Sequence, residues 1–126
     1  MAALLDTHAF LWWCADDSQL SKRARRIISN EECFLSLASV WEIAIKVSQG
    51  RLELPSRIEN YIPEQVQANG FAELEIGFRH IARCTRLKWH HRDPFDRLLA
   101  AQALEENVTM VSRDPVFDSY GVKRVW

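Results

Sequence analysis

Four acidic residues, Asp6, Glu42, Asp96 and Asp114, each stand at the edge of a regular element. Asp6 closes the apolar run Ala2-Ala3-Leu4-Leu5, and Asp114 follows a second apolar run, Val108-Thr109-Met110-Val111-Ser112. Glu42 and Asp96 fall in the first turns of two expected helices. In an open α/β sheet, the C-terminal strand ends share one crevice with the N-termini of the helices that follow. Carboxylates gathered there repel one another unless a cation lies between them. The chemistry implied is capture of a hard divalent metal, because Mg²⁺ and Mn²⁺ prefer oxygen ligands.

The elements that would position these acids can be read from local patterning. Leu4-Leu5 reads as a buried first strand, and Thr7 to Trp13 as a short apolar helix. Ser21 is a fitting N-cap for a helix that carries Ala24, Ile27 and Ile28 on one face. Cys33 to Ser36 is a short strand. Ser39 is expected to begin the next helix, whose Val40, Ile43, Ala44 and Val47 recur at helical spacing before Gly50 ends it. Between Ser56 and Asn69, Pro63 predicts two short helices with the proline opening the second, and Gly70 stops that piece.

Leu74-Glu75-Ile76 suggests a strand, Phe78 to Leu87 a helix, and Lys88 to Arg92 a polar loop. Asp93-Pro94-Phe95-Asp96 has the form of a helix start: an acid as cap, proline in the first position, an acid in the third. Leu98, Leu99, Ala101, Gln102 and Leu104 continue that helix. Val108 to Ser112 and Val122 to Val125 are the last two expected strands. Helices alternating with short apolar strands imply an α/β fold with a mostly parallel sheet covered on both faces.

The length of 126 residues suits one domain with its own core, and no repeat or linker divides the chain. Hydrophobic residues at 48% and charged residues at 26% are the balance of a globular protein. No apolar stretch reaches bilayer length, and Met1-Ala2-Ala3 lacks the basic region of a signal peptide, so a cytoplasmic location is expected. Cys14, Cys33 and Cys84 are too scattered for a zinc pattern, and an odd count argues against a disulfide framework. The net charge of -1 excludes a generically basic nucleic-acid binder. The cations are clustered, however, at Lys22 to Arg26 and from Arg79 to Arg92, either as solvated helix faces or as contacts for a phosphate backbone.

Each acid also has a purely structural reading. Ser39 and Glu42 fit a capping box, Asp96 could complement the positive end of a helix capped by Asp93, Asp6 could cap the helix after it, and Asp114-Pro115 could start a turn. Asp16, Asp17 and Asp118 read as ordinary loop acids. It is the combination, with every acid aimed at one mouth of a parallel sheet, that favours a site.

The motifs around these acids extend the pattern along the chain. They are Leu4-Leu5-Asp6-Thr7-His8; Ser36 to Lys46 with the Gly50-Arg51-Leu52 that follows; His91 to Ala103; and Val111-Ser112-Arg113-Asp114, with Tyr120 and Trp126 closing. In these motifs the sequence resembles the PIN-domain toxins of bacterial VapBC toxin–antitoxin systems. The resemblance implies a single PIN domain over residues 1–126, a three-layer α/β/α sandwich around a mostly parallel sheet. It maps the family's acidic quartet onto Asp6, Glu42, Asp96 and Asp114. Thr7 and Ser112 match the hydroxyl residues beside the first and last acids. Asp93 is read as a helix cap and outer support of the site. Arg97 is expected to balance the acids or contact phosphate.

The activity implied is Mg²⁺-dependent hydrolysis of RNA phosphodiester bonds, with Mn²⁺ as a substitute, leaving a 5′-phosphate and a 3′-hydroxyl. Asp6 and Asp96 are the expected direct ligands, Asp114 a ligand directly or through water, and Glu42 a ligand to a second ion or a general base. Two-metal sites place their ions roughly 3.5–4 Å apart, which requires several shared carboxylates. The partners implied are an RNA substrate, an inhibitory VapB-like antitoxin in a hetero-oligomer, and a second toxin copy, with no membrane. The apolar stretch Phe10 to Trp13 is a candidate partner groove. Lys46, four residues after Glu42, is either its helical ion-pair partner or a phosphate contact. His8 and His91 read as a general acid or as packed or solvent-facing side chains, and Arg92 with Arg97 flanks the third acid.

Other classes remain open at this point. Asp6 could be a phosphatase nucleophile, although such enzymes typically place a second acid where His8 stands. A PIN-like scaffold could bind RNA or protein without cutting, and the metal site alone does not distinguish RNA from DNA as substrate.

Overall fold

A computed structural model describes residues 1–126. Five short strands form one all-parallel sheet: β1 (Ala2–Leu5), β2 (Glu32–Ser36), β3 (Ala72–Leu74), β4 (Thr109–Val111) and β5 (Arg124–Val125), in the order β3-β2-β1-β4-β5. β1 is the centre, and its Leu5 pairs with Leu35 on one side and Val111 on the other. Seven helices connect the strands: α1 (Thr7–Cys14), α2 (Lys22–Asn30), α3 (Leu37–Ser48), α4 (Ile58–Asn69), α5 (Phe78–Cys84), α6 (Pro94–Glu106) and α7 (Val116–Ser119). The expected α/β architecture, a three-layer sandwich around a parallel sheet, is what the chain adopts.

The pleat explains why the central strand β1 is apolar at every position. Ala3, Leu5, Cys33, Leu35 and Val111 face one core, with Ala9 and Phe10 of α1, Ala24 and Ile28 of α2, and Tyr61 and Ile62 of α4. Leu4 and Met110 face the other, with Leu99, Ala100 and Ala103 of α6 and Phe117 of α7. α3 wedges between the layers, giving Ile43 to the first core and Ala38 to the second. A sheet covered on both faces has no solvent side on which to place polar residues.

Several boundaries differ from those read in the sequence. Pro63 does not divide its segment, because α4 runs continuously through it. An interior proline removes the bond to the carbonyl four residues back and crowds that carbonyl with its ring. Here Glu59 and Pro63 are both exposed, so water can satisfy that carbonyl while Tyr61 and Ile62 anchor the other face. α3 begins three residues earlier than expected, with Ser36 as its cap, accepting the Ala38 N–H at 3.0 Å. β2 therefore passes directly into α3, and Glu42 moves from the first turn to the second.

β3 lies two residues before its expected position, fixed by pairing of Ala72 with Phe34 and Leu74 with Ser36. The Glu75 carbonyl is instead taken by buried Gln102 at 3.2 Å. α5 stops at Cys84 and unwinds through tighter turns to Leu87. α7, which had no signature in the sequence, follows Asp114-Pro115 as a single turn.

Candidate active site

The four acids are brought to the C-terminal edge of the sheet by the elements that carry them. Asp6 ends β1 and caps α1, its Oδ1 accepting the Ala9 N–H at 2.7 Å. Asp114 lies just beyond β4, and its Oδ1 accepts the Val116 N–H at 2.9 Å as α7 begins. Buried Ser112 accepts the Asp114 N–H at 3.0 Å. Burial, with the nearby Asp114 charge adding to it, pushes the Asp6 carboxyl above the ordinary carboxylate range; hydrogen bonding from Ser112 and Ala9 only partly offsets this.

Glu42 is buried on α3, and both its oxygens are engaged. Oε1 takes the Thr7 hydroxyl at 2.7 Å and Oε2 pairs with Lys46 at 3.0 Å. Thr7 also lies 3.0 Å from the Ser39 hydroxyl, so the residue beside Asp6 ties the start of α1 to α3. This replaces the capping-box reading: Ser39 faces Thr7, and Glu42 reaches the site rather than the helix end. The Glu42–Lys46 pair is the four-residue helical spacing expected from sequence.

Asp93 caps α6, accepting the Phe95 and Asp96 N–H groups at 2.9 and 3.1 Å. Asp96 then projects from the first turn, with His91 Nε2 3.3 Å from its Oδ2. Burial, followed by the charge of Asp93, pushes the Asp96 carboxyl up to about 6, with His91 opposing and Glu42 reinforcing the shift. The couplings run as a chain from Asp114 to Asp6, through Thr7 to Glu42, and on to Asp96. A cleft of about 300 Å³ opens beside them, lined by Glu42, Lys46, Arg51 and Asp93 among others. A roomier hollow of about 480 Å³ near Trp89 is mostly apolar and contains no carboxylate.

Arg97 is placed differently from its expected role. Its side chain is only 4% exposed and turns away from the acids. The guanidinium bonds the carbonyls of Lys88 at 2.8 Å, Cys84 at 3.1 Å and Leu87 at 3.3 Å, and the Tyr120 hydroxyl at 3.3 Å. The Trp89 ring covers it at 3.7 Å. With its donors spent on the 84–88 turn, it is not available to a phosphate.

The PIN-domain family model matches residues 3–123. The chain belongs to the PIN-domain family. A relative named ribonuclease VapC22, from Mycobacterium tuberculosis, is 28% identical over 115 residues, covering 88% of this chain and 85% of that protein. Among solved structures, this PIN domain is similar to VapBC2 from Rickettsia felis bound to a promoter DNA fragment, with a TM-score of 0.72, 15% identity, and 99% and 98% of the two chains covered. It is also similar to FitAcB from Neisseria gonorrhoeae, with a TM-score of 0.71, 19% identity, and 98% and 96% covered.

The donors of this PIN domain suit a hard cation in kind. Asp6, Glu42, Asp93, Asp96 and Asp114 are all oxygen ligands, and the burial and mutual repulsion that raise Asp6 and Asp96 would be relieved by positive charge. Lys46 is the one ammonium bonded among them. No three His, Cys, Asp or Glu side chains stand together as a finished ligand set.

The sequence reading gave no role to the contacts that His91 and Tyr120 make. His91 bridges Asp96 and Tyr120, whose hydroxyl lies 2.7 Å from Nδ1. His8 is exposed and stacks on Trp12 with ring centroids 5.5 Å apart. Trp12 and Trp13 are half-buried against the first core. The three cysteines are free thiols, and no helix is long and apolar enough to cross a membrane.

Proposed function

We propose that this PIN domain is the toxin of a type II toxin–antitoxin system, an endoribonuclease dependent on Mg²⁺ or Mn²⁺ and restrained by a VapB-like antitoxin. The observation that carries this reading is the arrival of Asp6, Glu42, Asp96 and Asp114 at one edge of the sheet, each on a different element. The likeness to ribonuclease VapC22 supports the substrate class.

Asp6 and Asp96 would hold the cation, and Asp114 would join them directly or through water. When bound, the cation supplies charge neutralisation of the phosphate and a more acidic water at neutral pH. Glu42 has a partner on each oxygen, which argues against a free general base and for a fixed negative charge that attracts a second cation. Lys46 and Arg51, on the rim of the cleft, are the cations placed to meet phosphate oxygens. Water excluded from the buried side of Asp6 strengthens every electrostatic contact there.

A toxin of this kind works in the cytoplasm beside its RNA, and the free thiols are compatible with that compartment. The antitoxin would reach the acidic edge with a cationic side chain, since arginine pairs two-pronged with carboxylates. Toxin homodimers and toxin–antitoxin hetero-oligomers complete the set of proposed assemblies.

Purified protein incubated with total RNA and Mg²⁺ or Mn²⁺, beside Asp96→Asn and an EDTA control, tests the reading. Discrete fragments with 5′-phosphates, absent from both controls, are the expected result. Intact RNA from folded, Mn²⁺-bound protein would favour a non-cutting binding module, and cleavage of DNA alone would make it a DNA nuclease.

A further inference from the structure

We propose that His91 is a positioning residue for Asp96, locked in one tautomer by Tyr120 and Arg97. The inference rests on the metal-dependent reading above but adds a part to it. Arg97 can only donate, so the Tyr120 oxygen accepts from Nη1 at 3.3 Å. The Tyr120 proton is then directed at His91 Nδ1, 2.7 Å away. A neutral imidazole that accepts at Nδ1 carries its proton on Nε2, the nitrogen that faces Asp96 Oδ2 at 3.3 Å. The opposite tautomer would set the Nε2 lone pair against a carboxylate oxygen and leave two protons competing between Nδ1 and the phenol.

The consequence for the site is asymmetric. Oδ2 of Asp96 is tied back to His91, while Oδ1 makes no hydrogen bond within the protein and is the oxygen left for a cation. The support behind His91 is stiff: Tyr120 is 8% exposed in the α6–α7 core, and Arg97 is pinned to three carbonyls beneath Trp89. Tyr120 also closes α7, the helix that Asp114 opens. One short segment therefore sets both Asp114 and, through His91, Asp96.

Two measurements on the full chain test this. In metal-free protein at pH 8, nitrogen-15 NMR of the histidine rings should show His91 as the Nε2–H tautomer, and Tyr120→Phe should convert it to a mixture. A dominant Nδ1–H form in the wild type overturns the proposal. Mn²⁺ titration followed by electron paramagnetic resonance should show binding roughly 10–100-fold weaker in Tyr120→Phe and His91→Asn, the range for outer supports of a metal ligand. His91→Gln, whose amide nitrogen reaches the Nε2 position, should recover most of that loss. Equal Mn²⁺ affinity in all three variants and the wild type overturns the positioning role while leaving the metal site intact. Absence of Mn²⁺ binding in the folded wild type overturns the metal reading itself, and this proposal with it.

Discussion

Asp6 and Asp114 follow strands, and each gives an oxygen to a backbone N–H, of Ala9 at 2.7 Å and of Val116 at 2.9 Å. Glu42 and Asp96 ride on helices and are held by side chains: Thr7 and Lys46 for the first, His91 for the second. The strand-end pair is oriented chiefly by main chain, with the Ser112 side chain alone adding a bond to Asp6. The helix-borne pair depends on the identity of residues elsewhere in the sequence. Half of the site is thus set by topology, and the other half can be tuned by substitution without disturbing the sheet.

The sharpest way to separate the halves is to neutralise Asp96. Its folded-state pKa of about 6 lies above the unfolded value of ~3.9, so the native state holds the proton more tightly. Stability is therefore lost as pH rises between those values, and the penalty is complete above about 6. Asp96→Asn should match the wild type below pH 4 and exceed it by on the order of 2–3 kcal/mol at pH 7 in EDTA. Urea unfolding across that range reads the difference, while cleavage by the same variant falls to background. A variant less stable than wild type at pH 7 would break the comparison.

Thr7→Val should have a smaller effect. It keeps the shape of the side chain but removes the hydroxyl that joins α1 to α3, leaving Glu42 Oε1 without its donor. The expected loss is ~1–3 kcal/mol of stability with ~10-fold in cleavage, since a buried charged acceptor loses its partner. Ala9 and Val116 offer no equivalent substitution, because what they contribute is backbone.

Asp118→Asn should do least. That acid faces Arg124 at the surface, with its carboxyl held below the ordinary range by the guanidinium, and it touches none of the quartet. RNA cleavage should be unchanged within error, and a marked loss would mean that the site extends past α7.

How much of this was legible in the sequence follows the same division. Strands ending in an acid, and Asp93-Pro94 opening α6, could be read because the signals are local: an apolar run, a cap, a proline in the first turn. Local patterning put the acids at strand ends and on helices where the structure has them, and the resemblance grouped them as one quartet. What could not be read depended on distant partners. Ser39 and Glu42 looked like a capping box until Thr7, far away in sequence, claimed both. Arg97 looked like a phosphate contact because it adjoins Asp96, yet neighbours on a helix point in different directions, and its own points at the carbonyls of the turn after α5. Pro63 was read as a break because its local cost is real, but two buried neighbours outweigh it. The Tyr120–His91 contact joins loops on opposite sides of α6, and no periodicity announces such a pair.

The central position of β1 bears on how the protein is made. Its first residues pair with β4, near the other end of the chain, and Asp6 N–H bonds the Val111 carbonyl at 3.1 Å. A nascent chain on the ribosome cannot form that pairing until β4 has emerged, and parallel pairings between distant segments are slow to close. The acidic edge is thus assembled late, because Asp6 cannot take its place between β1 and β4 until more than a hundred residues of chain lie between the two strands.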